Sequence, residues 1–152
     1  MDCTIIDDNT KNWYYQSGSS GGFTDGVRTF INASGSNKYL IAHLTGGSVW
    51  SEDFDYPLCF ECNIVSFTNN AIVIHTQSGT HNDNANITHI LSDNCHIKAI
   101  IDSTHLEVYV NDNPNPSINK TFSTPLDGDK IHIGFRVDDG TLTFSNFKVY
   151  PI

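Results

Sequence analysis

Lys130-Ile131-His132-Ile133-Gly134-Phe135-Arg136-Val137, then Asp138-Asp139-Gly140, then Thr141-Leu142-Thr143-Phe144-Ser145-Asn146-Phe147-Lys148-Val149-Tyr150, is the stretch that decides the fold. Ile131, Ile133, Phe135 and Val137 alternate with His132, Gly134, Arg136 and Asp138, the period of two that puts successive side chains on opposite faces of a strand. Asp139-Gly140 tolerates the positive φ angles of a tight turn, so the pattern predicts a hairpin in which Thr141–Tyr150 returns along Lys130–Val137.

A second hairpin is predicted upstream. Ile97, Ala99 and Ile101 share one face of His96–Asp102, Ser103-Thr104 makes the turn, and Leu106, Val108 and Val110 point inward from His105–Val110. Further strands are expected at Thr4–Asp7, Val27–Ile31, Lys38–Leu44, Leu58–Phe67, Ala71–Thr76, Ile87–Leu91 and Ser117–Phe122. Turn clusters are expected at Ser17–Gly22, Ser34–Asn37, Gly46–Ser48, His81–Asn86, Asn111–Pro116 and Asp127-Gly128. Leu58–Phe67 reads as apolar on both faces, with Leu58, Phe60, Cys62 and Ile64 on one and Cys59, Val65 and Phe67 on the other, which predicts a central strand. About ten short strands at near-regular spacing, with no helical period between them, point to an all-β sandwich or barrel. No internal repeat or linker interrupts residues 1–152, so one domain is expected.

With 38% hydrophobic and 16% charged residues the chain can bury a core, and no run approaches the length of a membrane-spanning helix. The formal net charge of −9 repels phosphate backbones, arguing against nucleic acid and anionic membranes as partners. The first residues, Met1 to Asp8, contain neither a basic region nor a long apolar run, so no secretory signal is expected in the chain as it stands. Cys59-x-x-Cys62 has a zinc-like spacing. It lies in a predicted strand, where residues three apart face opposite ways, and Cys3 and Cys95 are isolated. Buried free thiols or one disulfide are the expectation.

The two ends of the chain resemble the concanavalin A-like and laminin G-like jelly rolls, which include many carbohydrate-binding modules. The resemblance rests on Leu106-Glu107-Val108-Tyr109-Val110-Asn111, on Ile131-His132-Ile133-Gly134-Phe135, on the closing Gly140–Tyr150 segment, and on Ile6-Asp7-Asp8 followed by Trp13. It covers roughly the first fifteen and last fifty-five residues. It implies an all-β, two-sheet antiparallel β-sandwich, a jelly roll in which first and last strands pair and Trp13 packs under the first. Where calcium-bearing relatives place an Asp, this chain has Ser145. The expectation is therefore no cofactor, with calcium weakly supported by Asp7, Asp8, Asp138 and Asp139.

Glutamate occurs only at positions 52, 61 and 107, in no arrangement that flanks a scissile glycosidic bond, and no nucleophile or zinc-hydrolase motif is present. A binding rather than catalytic role is predicted. Sugars stack on aromatic rings bordered by hydrogen-bonding side chains. The Gly46–Tyr56 loop gathers Trp50, Asp53, Phe54 and Tyr56, and a polar sheet face of His96, Lys98, Glu107, Tyr109, His132 and Arg136 is expected if their strands adjoin, with His75 extending it. The predicted ligand-binding residues are Trp50, Asp53, Phe54, Tyr56, His75, Tyr109 and Arg136. The same aromatic loop also reads as a cap on the core, and the polar face as ordinary solvated sheet. The function read here is carbohydrate binding or adhesion, as a cell-surface or viral tail or fibre part, with a glycan as partner and homo-oligomers or attachment to a larger assembly as options. A structural or protein–protein interaction domain and a glycoside hydrolase or lyase are the alternatives. Sequons at Asn32, Asn86 and Asn119 are expected by chance in so Asn-, Ser- and Thr-rich a chain.

Overall fold

The computed structural model describes residues 5–7, 13–43, 54–68 and 70–152. The strands are β1 (Ile5–Ile6), β2 (Trp13–Tyr15), β3 (Ser19–Thr24), β4 (Val27–Ala42), β5 (Leu58–Phe67), β6 (Ile72–Ser78), β7 (His81–Asn86), β8 (Cys95–Ile101), β9 (His105–Val110), β10 (Ile118–Thr121) and β11 (His132–Pro151). All pairings are antiparallel.

Two long strands, β4 and β11, pair with each other along almost their whole length and bend together, so each serves two sheets. The larger sheet runs β10-β9-β8-β5-β11-β4-β3, using the second half of β11 and the first half of β4, with β1 also on β11. The smaller runs β7-β6-β11-β4-β2, using the other halves. Phe135 and Phe144 show the bend. Nine residues of straight strand would separate them by about 30 Å, yet their ring centroids lie 5.3 Å apart. The two sheets therefore face each other across one apolar core built from Phe30, Leu40, Phe60, Ile64, Ile74, Phe135 and Phe144 among others. The predicted all-β, two-sheet sandwich is what the chain forms.

The corner explains why the hairpin expected at Asp139-Gly140 does not form. Asp139 (φ 72) and Gly140 (φ 137) do take positive φ angles, but they make a bulge in a continuous strand rather than a reversal. Both halves of β11 are already paired on either side, by β6 and β4 and then by β5 and β4, leaving no edge for them to pair with each other. Opposite the bulge, β4 turns at the Ser34–Asn37 stretch, which was expected to separate two strands. Asn32, 1% exposed, holds this corner: its amide donates to Ser36 O at 2.5 Å and Val137 O at 2.7 Å, while its carbonyl accepts from Ser34 N and Oγ. That commitment leaves the Asn32 sequon with no free amide.

Other expectations shift for physical reasons. The polar stretches around Ser17–Gly22 and His81–Asn86 form strands β3 and β7, at the rims of the two sheets, where one side of the backbone needs no apolar cover. Ile87–Leu91 is not a strand but contains a 3₁₀ turn, Thr88–Ile90. β5 is central, between β8 and β11, as predicted. A register shift after Ile64 flips its alternation, so that Phe67 lies opposite Leu142 and packs on the core rather than on the outer face. Cys59, Cys62 and Cys95 are buried free thiols, with Cys62 in the core and Cys59 against Tyr150 on the opposite face.

The closing Phe144-Ser145-Asn146-Phe147 segment has a second bulge. Asn146, at φ 54, adds one residue to β11, so Phe144 and Phe147 both enter the core although three apart. Trp13 wedges against them, with centroids 5.3 and 4.7 Å away. Its indole N–H donates to Asp7 Oδ1 at 2.9 Å, and Arg28 pairs with the same carboxylate at 2.6 Å. Trp13 is thus a core residue, as the resemblance implies.

Candidate functional site

Of the residues predicted to bind ligand, Trp50 and Asp53 lie outside the described residues. Phe54 is 2% exposed, its backbone bridges to Ile131, and its ring belongs to the core. The aromatic-platform expectation is corrected at that position. Tyr56 packs against the core and donates its hydroxyl to Gly128 O.

His75 and Arg136 belong to the smaller sheet. His75 is 3% exposed; its Nδ1 meets Asn84 Oδ1 at 2.7 Å, its Nε2 meets His132 Nε2 at 3.0 Å, and Tyr39 lies edge-on to its ring. Burial, with the charges of His132 and Arg136, outweighs the Asn84 bond and brings its pKa down to about 4. Arg136 forks onto Asp138 at 2.8 and 3.0 Å. The polar face expected from six residues is therefore divided. His132 and Arg136 sit on the first half of β11, on the smaller sheet, whereas His96, Lys98, Glu107 and Tyr109 are on the larger one. The bend in β11 is the reason.

On the larger sheet, four strands place polar side chains in rows. Tyr109, Lys98, Glu61 and Lys148 are register neighbours across β9, β8, β5 and β11. Beside them His96 faces Asn63, which faces Ser145, with Asn146 at the bulge. Glu61, Asn63, His96, Asn146 and Lys148 line a concavity of about 460 Å³. A second, of about 310 Å³, is lined by Ile100, Asp102, Thr104, His105 and Glu107, further along β8 and β9. Lys98 and Tyr109 lie between the two.

These side chains hold one another in place. His96 Nδ1 lies 2.8 Å from Asn63 Oδ1 and donates to it, so in the neutral ring Nε2 is the acceptor, 4.0 Å from Glu61 Oε2. Lys148 Nζ pairs with Glu61 Oε1 at 2.7 Å and Tyr150 donates to Oε2 at 2.9 Å. Burial alone would raise the Glu61 pKa, but the bonds from Lys148 and Tyr150 and the positive charge beside it hold it below the usual carboxylate range. Burial, then the bonds to Cys59 and Glu61, push the Tyr150 phenol well up, so it stays a donor. Tyr109 donates to Glu107 Oε2 at 2.5 Å, and Lys98 Nζ lies 5.4 Å from the centre of the Tyr109 ring. Such a surface offers fixed amides, an imidazole, ammonium groups and an aromatic ring on a rigid sheet.

Glu61, Asn63, Asn146 and Lys148 were not among the predicted site residues. The available signal was a glutamate and an asparagine in the middle of a central, otherwise apolar strand; Asn146 reads from sequence only as part of a structural motif. As for cations, Asp7 is taken by Arg28 and Trp13, Asp138 by Arg136, and Asp139 Oδ1 accepts from Gly35 N at 3.4 Å, while Asp8 lies outside the described residues. No group of three or more metal-ligating side chains occurs among the described residues.

The chain matches no established family profile and no curated protein. It does share its fold with solved structures. One is the carbohydrate-binding module CBM66 from Bacillus subtilis, at a TM-score of 0.61 and 14% identity over 95% of this chain and 99% of that one. Another is a protein of unknown function with a galectin-like fold, also from Bacillus subtilis, at 0.61 and 10% identity over 97% and 95%. At such identities the likeness is one of fold, a jelly-roll-like sandwich.

Proposed function

We propose that this chain is a non-catalytic carbohydrate-binding or adhesion module of the concanavalin A-like kind, with its glycan on the outer face of the larger sheet. The observation that carries the reading is the 460 Å³ concavity, where two asparagines, a histidine, a lysine and a glutamate converge on one rigid face beside Tyr109. Hydrogen-bonding side chains bordering an aromatic ring suit a hydroxyl-rich ligand. The shared fold with a carbohydrate-binding module adds support. Trp50 and Asp53 are proposed as further contacts on the strength of their loop's composition.

A hydrolase reading is less well supported. Glu61 and Glu107 share the face but are two strands apart, about 10 Å across the sheet. Glu61 is held ionised, the wrong state for a general acid at neutral pH. We further propose that the module works outside the cell, on a cell surface or virion, as part of a larger assembly. No helix among the described residues is long and apolar enough to cross a membrane.

A glycan array followed by calorimetry tests the reading. Binding to at least one glycan is expected, weakened about tenfold or more in an Asn63→Ala, His96→Ala double variant that stays folded. No binding across the array, or binding indifferent to that variant, would leave the structural or protein–protein alternative in its place.

A further inference from the structure

Within that binding face, the disposition of charge points to the class of sugar. The described residues include seven lysines and arginines, and five of them hold a carboxylate: Arg28 with Asp7, Lys120 with Asp83, Lys130 with Asp55, Arg136 with Asp138 and Lys148 with Glu61. The other two are Lys38 and Lys98. Lys98 stands in the middle of the candidate face, opposite Glu61 in register, yet its ammonium group leans over the Tyr109 ring instead. Glu61 is already held by Lys148 and Tyr150, and Glu107 accepts from the Tyr109 hydroxyl with its other oxygen 3.8 Å from His105. In a chain of net charge −9, an uncommitted ammonium fixed between two concavities is a local exception.

We propose that the ligand of this face is an acidic glycan, one carrying a sugar carboxylate, and that Lys98 takes that carboxylate. The inference rests on the glycan-binding reading above. Its geometry is that of one strand: Lys98 and His96 are successive outward residues of β8, about 6.6 Å apart, roughly the span of one pyranose ring. A carboxylate on Lys98 places the ring hydroxyls of the same sugar over His96 and Asn63, whose own hydrogen bond orients them. The ion pairing of Glu61 with Lys148 removes the repulsion that a bare carboxylate would exert on the ligand. A charge-assisted contact of this kind is about twice as strong as a neutral one and discriminates strongly against an uncharged analogue.

The test uses the full chain on a panel of acidic oligosaccharides (oligogalacturonate, alginate, hyaluronan fragments and sialyllactose), each beside its methyl ester, together with neutral glycans. The ester keeps the ring and removes the charge. At least one acid is expected to bind about tenfold or more tightly than its ester, the preference to shrink as salt is raised, and Lys98→Gln to abolish the preference while leaving the fold intact by circular dichroism. Equal binding of acid and ester, or a preference that survives Lys98→Gln, overturns the acidic-sugar proposal and leaves glycan binding standing. Binding of neutral glycans alone does the same. Failure of every member, acidic and neutral, overturns both.

Discussion

His75 and His132 stand on neighbouring strands of the smaller sheet with their Nε2 atoms 3.0 Å apart, both buried, at 3% and 1% exposure. Only one nitrogen of such a pair can carry the shared proton, and a second proton there would point two N–H donors at each other and leave a cation buried away from water. Asn84 holds the far side of His75, accepting from its Nδ1–H and leaving Nε2 to face His132.

That arrangement makes stability depend on pH. The folded pKa of His75, about 4, lies below its ordinary 6.5. Between those values the unfolded chain binds a proton that the folded chain refuses. The contribution is therefore fully present above about pH 6.5 and is lost progressively as pH falls toward 4, on the order of 3 kcal/mol in all. Urea titrations at pH 7.5 and 4.5 should show this loss, and a folded His75→Gln variant should show a smaller one. An identical pH dependence in the variant would disprove the assignment.

Asn32 is expected to be the costliest single amide in the fold. Asn32→Ala removes the donor from Val137 O and Ser36 O at the buried corner, and should destabilise by about 2–3 kcal/mol. Chemical denaturation measures it; a cost under about 0.5 kcal/mol, the range of ordinary surface changes, would mean that the bend of β4 and β11 holds itself.

The Asp7–Arg28 pair has side chains only 1% and 5% exposed. Breaking it from one side strands the other charge, so Arg28→Met should cost about 3–5 kcal/mol. Adding Asp7→Leu to Arg28→Met should restore part of the loss. Thermal melts followed by Trp fluorescence report both, because Trp13 bonds to the same carboxylate. A double variant no more stable than the single one would argue against the stranded-charge account.

Asn146 separates fold from binding. Its φ of 54 is a left-handed conformation that glycine adopts freely and alanine resists by about 1–2 kcal/mol. Asn146→Gly should keep the melting temperature within a few degrees while removing an amide from the concavity, so glycan affinity falls alone. Asn146→Ala should lower both. Equal melting temperatures for the two variants would show that the bulge is not held in the left-handed region.

Much of the architecture was legible in the residues. Alternation named the inward faces of β8, β9 and β11, and Ile97, Ala99, Ile101, Leu106 and Val108 are buried as the period required. The β8–β9 hairpin pairs Ile101 with Leu106 across the Ser103-Thr104 turn as expected. These features are local: period, turn chemistry and β propensity act within a few residues, and the sequence states them directly. The Asp139-Gly140 signal shows the boundary of that kind of reading. Its preference for positive φ was real, but a tight turn and a bulge use the same preference, and the choice depended on Asn32 and on which strands already flanked β11.

Only part of the candidate site lies within that boundary: alternation put His96, Lys98, Glu107 and Tyr109 on the outward faces of β8 and β9, and the rest came from other strands. Asn63 and His96 meet across β5 and β8, and Lys148 and Glu61 across β5 and β11, pairs brought together only when the sheet order is set. A one-residue bulge decides which face each side chain takes, and the switch of β11 between sheets sent Arg136 and His132 away from Tyr109. The amino-acid sequence by itself determined an all-β sandwich and most of its core. Which polar residues share a face was decided by tertiary structure, because register and sheet order are set by distant partners competing for the same strand edges.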